Sequence, residues 1–216
     1  MTVSRPARSV SADVRRLVLV AGGLVGCELL LLVVYFTRSS TSVLAPRYVL
    51  YPFVWINVAV LALLVVDRPR ADGGRRLAAA VVAVLYLGVL AWLDGTVAAG
   101  TGAGTVRVFA LSPGWGPALL YDGVVRLALF PYRVVGYAAL AYLVYALVAD
   151  TVGSGIVGGA VGLLSCVSCA LPVAAALLSG LLGGSIGLTV ATNPLSYDLS
   201  TLAYVVSVGL LTWRPS

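Results

Sequence analysis

The sequence has no histidine and no lysine, and its only methionine is Met1. Those absences remove the common axial ligands of haem, the nitrogen donors of hydrolytic zinc and the imidazole base of a Ser-His-Asp triad. Cysteine is scarce as well. Cys27, Cys166 and Cys169 are the only three, one short of the four Cys or His ligands of a closed zinc site, so a single chain completes such a site only by adding a carboxylate such as Glu28. Charged residues make up 10% of the 216, against about 25% in an ordinary soluble domain. They are too few to coat a water-facing surface. What remains is apolar, 61% of the chain with a mean hydropathy of +1.05. This composition predicts an all-α, polytopic transmembrane helix bundle of the cell (cytoplasmic) membrane, with the lipid bilayer as its first partner.

The cations are all arginine, 14 against 8 acids. They sit at the ends of apolar runs, where membrane topology accounts for them and no nucleic-acid partner is called for. A basic tail, residues 1–16, precedes an apolar run at 17–36 whose single charge is Glu28. At 1.5 Å per residue that run crosses a hydrocarbon core of about 30 Å. It is longer than the apolar core of a signal peptide and no A-x-A-like site follows it, so it is expected to be retained. Further spans are predicted at 49–66 and 77–93. The loop between them carries Arg68, Arg70, Arg75 and Arg76, which together with the basic tail places the N-terminus in the cytoplasm.

Residues 94–113 are rich in glycine and threonine and read as an external loop. In 116–130 the residues Leu119, Leu120, Val124, Leu127 and Phe130 fit helical spacing, and Asp122 and Arg126 fit an i,i+4 pair, predicting a helix on the outer surface. A fourth span follows at 132–148. Residues 152–190 carry no charge and are interrupted by Pro172 and Gly183-Gly184, too long for one crossing and suited to a fold-back. Spans at 152–171, 173–190 and 199–213 bring the total to seven; a re-entrant 173–190 gives six and puts Arg214 inside. Small-residue spacings such as Gly22-x-x-x-Gly26, Gly155-x-x-x-Gly159 and Gly180-x-x-x-Gly184 permit close helix contact, within one chain or in a homodimer.

Two places carry potential chemistry. In Ser165-Cys-Val-Ser-Cys-Ala-Leu-Pro172 the cysteines are three residues apart, on one helical face. Pro172 has no N–H for the carbonyl of Ser168, which loosens that turn and lets Cys166 and Cys169 close into a disulfide and reopen. The same two thiolates suit Cu(I), with Cys27 as a possible third ligand of the metal. They are also compatible with an inert pair of small apolar residues in a tight bundle. The second place is Glu28. A carboxylate near mid-bilayer is costly, so it is expected to face the bundle interior, where Asn57 at similar depth offers an amide; an interhelical clamp and a proton or ion path both fit.

The Cys166, Cys169 and Pro172 pattern in a Gly/Ala-rich helix resembles that of small multipass membrane proteins of haloarchaea, a resemblance that implies an archaeal membrane protein and no assigned activity. It is more loosely similar to the Cys/Pro helices of DsbD/CcdA-type electron carriers and to the C-x-x-C of vitamin K epoxide reductase-like proteins. The first of these place one cysteine in each of two helices and the second add a loop pair, neither of which Cys27 supplies. The resemblance therefore implies a thioredoxin-like partner or a second subunit to complete a relay. Together these readings predict a thiol redox or Cu(I)-handling site accessory to a respiratory or metalloprotein assembly system, with a non-catalytic subunit of a larger membrane complex as the alternative.

Overall fold

The computed structural model describes residues 7–38, 46–69, 72–151 and 195–212. The chain divides into two units, residues 1–46 and 47–216. The first is built on α1 (Ala7–Arg38), an apolar run that no proline interrupts. The second contains α2 (Pro46–Val65), α3 (Gly73–Leu93), strands β1 (Val97–Ala99), β2 (Thr105–Phe109), β3 (Ala118–Asp122) and β4 (Val125–Leu129), then α4 (Pro131–Thr151) and α5 (Leu195–Thr212). Four segments, Val14–Arg38, Tyr48–Val65, Gly73–Leu93 and Pro131–Asp150, are long and apolar enough to cross a membrane, and Ser200–Thr212 is a shorter apolar helix. The four overlap the spans expected at 17–36, 49–66, 77–93 and 132–148, whereas the helix at the expected span 199–213 falls short of that length. The spans expected at 152–171 and 173–190 lie outside the described residues.

Helix directions follow from the contacts. Tyr51 donates to Asp198, the Trp55 indole donates to Thr201 at 3.2 Å, and Tyr204 stacks on Trp55, so α2 and α5 run parallel. Ala79 near the start of α3 packs with Ala149 near the end of α4, while Asp94 at the end of α3 meets Arg133 at the start of α4. These two helices are antiparallel. The sheet therefore joins the end of the unit where α2, α4 and α5 begin, and Thr151 and Leu195 lie at opposite ends.

Asp94 caps α3, and Gly95 follows with φ +75°, a left-handed position that glycine occupies without steric cost and that stops the helix. The chain then enters an antiparallel sheet of order β1-β4-β3-β2. This corrects the all-α expectation, the loop reading of 94–113 and the surface helix at 116–130. In the last of these, short apolar runs fitted both periods, and pairing decided in favour of strands. Asp122 sits opposite Arg126 across the β3–β4 hairpin, so the i,i+4 spacing reflects cross-strand register. Pro117 and Gly123 interrupt the helical alternative.

Pro52 shows how the sheet end is tied down. Lying inside α2, it has no N–H to offer the carbonyl of Tyr48, and an orphaned buried carbonyl is unfavourable. The Trp115 indole N–H fills that vacancy, donating to the Tyr48 oxygen at 2.6 Å. Gly114 lies directly over the same proline with φ +87°; a Cβ there would sit 2.6 Å from Pro52 Cβ. The turn before β3 is thus docked on α2 at the one site where the helix gives up a hydrogen bond.

An aromatic cavity at the sheet end

Trp55 is the hub of the core in the second unit. Its ring stacks on Tyr204 at 4.0 Å and 4°, and meets Tyr132 and Tyr137 edge to face at 5.7 and 5.8 Å. Offset and edge-to-face contacts of this kind are each worth about 0.5–1.5 kcal/mol beyond burial. The cluster closes because α4 has glycine at position 136: a Cβ there would come within 2.5 Å of the Trp55 ring. Both polar handles are used. The indole N–H donates to Thr201, and the Tyr204 hydroxyl donates to the Trp55 carbonyl at 3.3 Å.

Beside this hub lies a cavity of about 260 Å³, lined by residues of α2, α3, α4 and α5 that include Trp55, Tyr86, Leu90, Leu140, Tyr204 and Ser207. Tyr86 and Asp94 both line it, eight residues apart on α3, so it extends about 12 Å along the helix axes. Its sheet end is polar, formed by Asp94, Ser200 and Tyr137, and its flank is apolar, formed by Leu90, Leu93 and Leu140.

Asp94, at the polar end of the cavity, pairs with Arg133, which lines a small recess adjoining it. Arg133 Nη1 donates to Asp94 Oδ2 at 2.6 Å, and Thr96 donates to the same oxygen at 2.9 Å. The guanidinium also lies 5.3 Å from the Phe130 ring centre, and its Nε donates to the Tyr132 hydroxyl at 2.9 Å. Side-chain exposures of 22% for Arg133 and 26% for Asp94 place the pair between a solvent-screened ion pair and a buried one. The mouth is therefore neutral overall while offering both donors and an acceptor.

A second polar knot fastens the tip of the sheet. Thr101 donates to Asp122 through its backbone N–H at 3.1 Å and its hydroxyl at 3.2 Å, and Arg126 pairs with the same carboxylate at 3.4 Å. Gly100 must be glycine, because a Cβ would fall 2.1 Å from the Gly123 carbonyl oxygen. The Thr101 amide, with Arg126 also contributing, holds the Asp122 carboxyl below its ordinary value of 3.8. A depressed carboxylate stabilises the fold above its unfolded value, and that contribution disappears as pH falls through the lower folded value. The protection of the Thr101 amide, its exchange relative to the intrinsic rate at each pH, is accordingly expected to hold at pH 5 and above and to fall on acidification below about pH 4. Asp122→Asn, which keeps an oxygen acceptor and loses the charge, should show a lower protection that does not change over this pH range. Equal protection in both proteins would mean that the carboxylate does not hold this loop.

Of the residues singled out in the sequence, those described lie on α1 and α2. Cys27 lies exposed on α1, Glu28 is half-buried on the same helix and Asn57 half-buried on α2. Cys166, Cys169 and Pro172, with the glycine pairs at 155–162 and 180–184, lie outside the described residues. Among the described residues, no cluster of three or more Cys, Asp or Glu side chains is placed to hold a metal ion. Arg133, which the sequence reading gave no role, pairs with Asp94. The cavity was not anticipated, although the aromatic positions that wall it were open to inspection: Trp55, Tyr86, Tyr137 and Tyr204 all fall within predicted spans.

Helices of spanning length, a four-stranded antiparallel sheet and a cavity beneath it define the architectural class. The whole chain, residues 1–216, matches the family of unknown function DUF7546, and the protein belongs to that family. No curated protein and no solved structure shows significant similarity to it.

Proposed function

We propose that the protein is a multipass protein of the cytoplasmic membrane that binds a small neutral amphiphile in the cavity between α3 and α5. The observation that carries this reading is the composition of the cavity wall: aromatic and leucine side chains with Ser207 along its length, and at one end Ser200 and Asp94, whose charge is neutralised by Arg133 of the adjoining recess. Its volume of about 260 Å³ lies just under the usual range for small-molecule sites, roughly 300–1,000 Å³. It suits a hydroxyl- or carbonyl-bearing head with a slim apolar body. A charged head meets no net counter-charge at the mouth.

The test is photolabelling of the purified protein in lipid nanodiscs with a long-chain alcohol that carries a diazirine and an alkyne. Labels are expected on peptides containing Tyr86–Asp94 and Ser200–Ser207. Ser200→Trp, which plugs the exposed mouth, is expected to reduce them about tenfold, a loss near 1.4 kcal/mol. Labelling confined to lipid-facing positions, or unchanged in Ser200→Trp, overturns the reading.

The opposite placement of Thr151 and Leu195 supports six crossings, with 173–190 re-entrant and the C-terminus inside, over seven. Two full crossings between those residues would return the chain to the end it left.

A second reading stands on the sequence. The Cys166-x-x-Cys169-x-x-Pro172 spacing favours reversible thiol chemistry or Cu(I) handling, in the service of a membrane-protein complex or a thioredoxin-like partner. Alkylation in intact cells is expected to rise on adding a membrane-permeant reductant and to lose its response in Cys169→Ser. Thiols that stay unlabelled under oxidising and reducing conditions leave a non-catalytic subunit with an inert pair.

A further inference from the structure

The four-stranded sheet has two unlike faces. Strand register puts Val106, Val108, Leu119, Tyr121, Leu127 and Leu129 on one of them, while the charges Arg107, Asp122 and Arg126 all fall on the other, with Phe109, Leu120 and Ala128 among them. A face without a single charge, backed by one that carries all of them, is suited to be withdrawn from water. Yet Val106 and Val108 are 61% and 65% exposed, and Val124 at the hairpin tip is 83% exposed. Among the described residues, the helix that packs closely against the sheet is α3, and it does so at β1, the edge opposite β2.

We infer that the apolar face rests on the outer surface of the bilayer, among lipid headgroups and the upper acyl chains, an inference that relies on the membrane-spanning reading above. Continuity selects lipid as the occupant. β1 begins three residues after Asp94, which ends α3, and β4 ends two residues before α4 begins. The sheet cannot stand far from the level where those helices leave the bilayer. Trp92, 70% exposed at the end of α3, is the residue type that settles at that level. The arginines occupy the face turned to water. β2 also limits the depth: as an edge strand it has backbone N–H and C=O groups without ladder partners, and these must stay hydrated, so valine side chains dip while the strand itself remains interfacial.

The experiment places single cysteines, with Cys27, Cys166 and Cys169 changed to serine, at Thr105, Val106, Arg107, Val108 and, as a reference, at Val84 in the middle of α3. Each is labelled with bimane in phosphatidylcholine vesicles and quenched either by lipid carrying a doxyl group high on its chain or by aqueous iodide. Val106→Cys and Val108→Cys are expected to be quenched about threefold more by doxyl lipid than Thr105→Cys and Arg107→Cys, with iodide showing the reverse. Iodide access at all four positions overturns the inference, because the face is then in water. Shielding of Val106→Cys and Val108→Cys from both quenchers also overturns it, because protein then covers the face. If Val84→Cys is reached by iodide and not by doxyl lipid, the membrane-spanning reading itself fails.

Discussion

Truncation of Trp55 to alanine is expected to lower the stability of the second unit by about 3–5 kcal/mol, the range for removing a buried aromatic side chain. Trp55 is 6% exposed and contacts three aromatic rings, so its loss opens a void that α2, α4 and α5 share and also leaves the Thr201 hydroxyl without its indole partner. Trp55→Phe separates these effects. It retains a ring to stack on Tyr204 and loses one hydrogen bond and some volume, at an expected cost of about 1–2 kcal/mol. Both are measured by titrating the purified protein with SDS in mixed micelles and following helical circular dichroism. Because the cavity wall and the core hub are the same side chain, Trp55→Ala should also abolish photolabelling by the alcohol probe, whereas Trp55→Phe should keep most of it. An unfolding midpoint for Trp55→Ala indistinguishable from the parent would show that the aromatic cluster is not the centre of the unit.

The helices were legible in the sequence because long, nearly uncharged apolar runs leave few alternatives. A run of about twenty apolar residues has to satisfy its own backbone hydrogen bonds, and a helix does so within the segment. Their ends agree closely: 77–93 against Gly73–Leu93, and 132–148 against Pro131–Thr151. The sheet was not legible for a reason that concerns its length. Strands of three to five residues offer too few positions to separate a period of 2 from one of 3.6. Leu119 and Leu127, which share a face of the sheet, fitted the second as well as the first. Gly123 between Asp122 and Val124 was the available turn signal, and it weighed less than the apparent Asp122/Arg126 helical pair. That pair is a real contact, assigned to the wrong secondary structure.

The cavity was hidden for a different reason. Motif reading favours residues with intrinsic reactivity, and so it settled on Cys166, Cys169 and Glu28. The site that the described residues form depends instead on long-range geometry, with position 55 meeting 204 and position 94 meeting 133. No local spacing encodes those pairings. Pro52 is the intermediate case. Its effect on the carbonyl of Tyr48 follows from the sequence alone, whereas the partner that answers it, Trp115, lies 67 residues away and emerges only with the fold.

The charge pair at the cavity mouth allows the second large effect. Asp94→Ala leaves the Arg133 guanidinium against Phe130, Tyr132 and Tyr137 without its carboxylate. For a pair roughly three-quarters withdrawn from solvent, the expected cost is about 1–3 kcal/mol, below the 3–5 of a fully buried pair and above the 0–1 of a surface one. Arg133→Met is expected to cost a similar amount, and the double variant about 1 kcal/mol less than the sum of the two, since the partner each single change strands is then gone as well. Ligand preference should change along with stability. With both charges present, the mouth favours a neutral head. Asp94→Asn keeps the side chain's shape and leaves one uncompensated cation, so a long-chain carboxylate should gain about tenfold over the corresponding alcohol in competitive photolabelling, equivalent to about 1.4 kcal/mol. Arg133→Met should shift preference the other way. Additive single effects together with an unchanged preference would mean that solvent screens the pair and that it plays no part in selecting the head group.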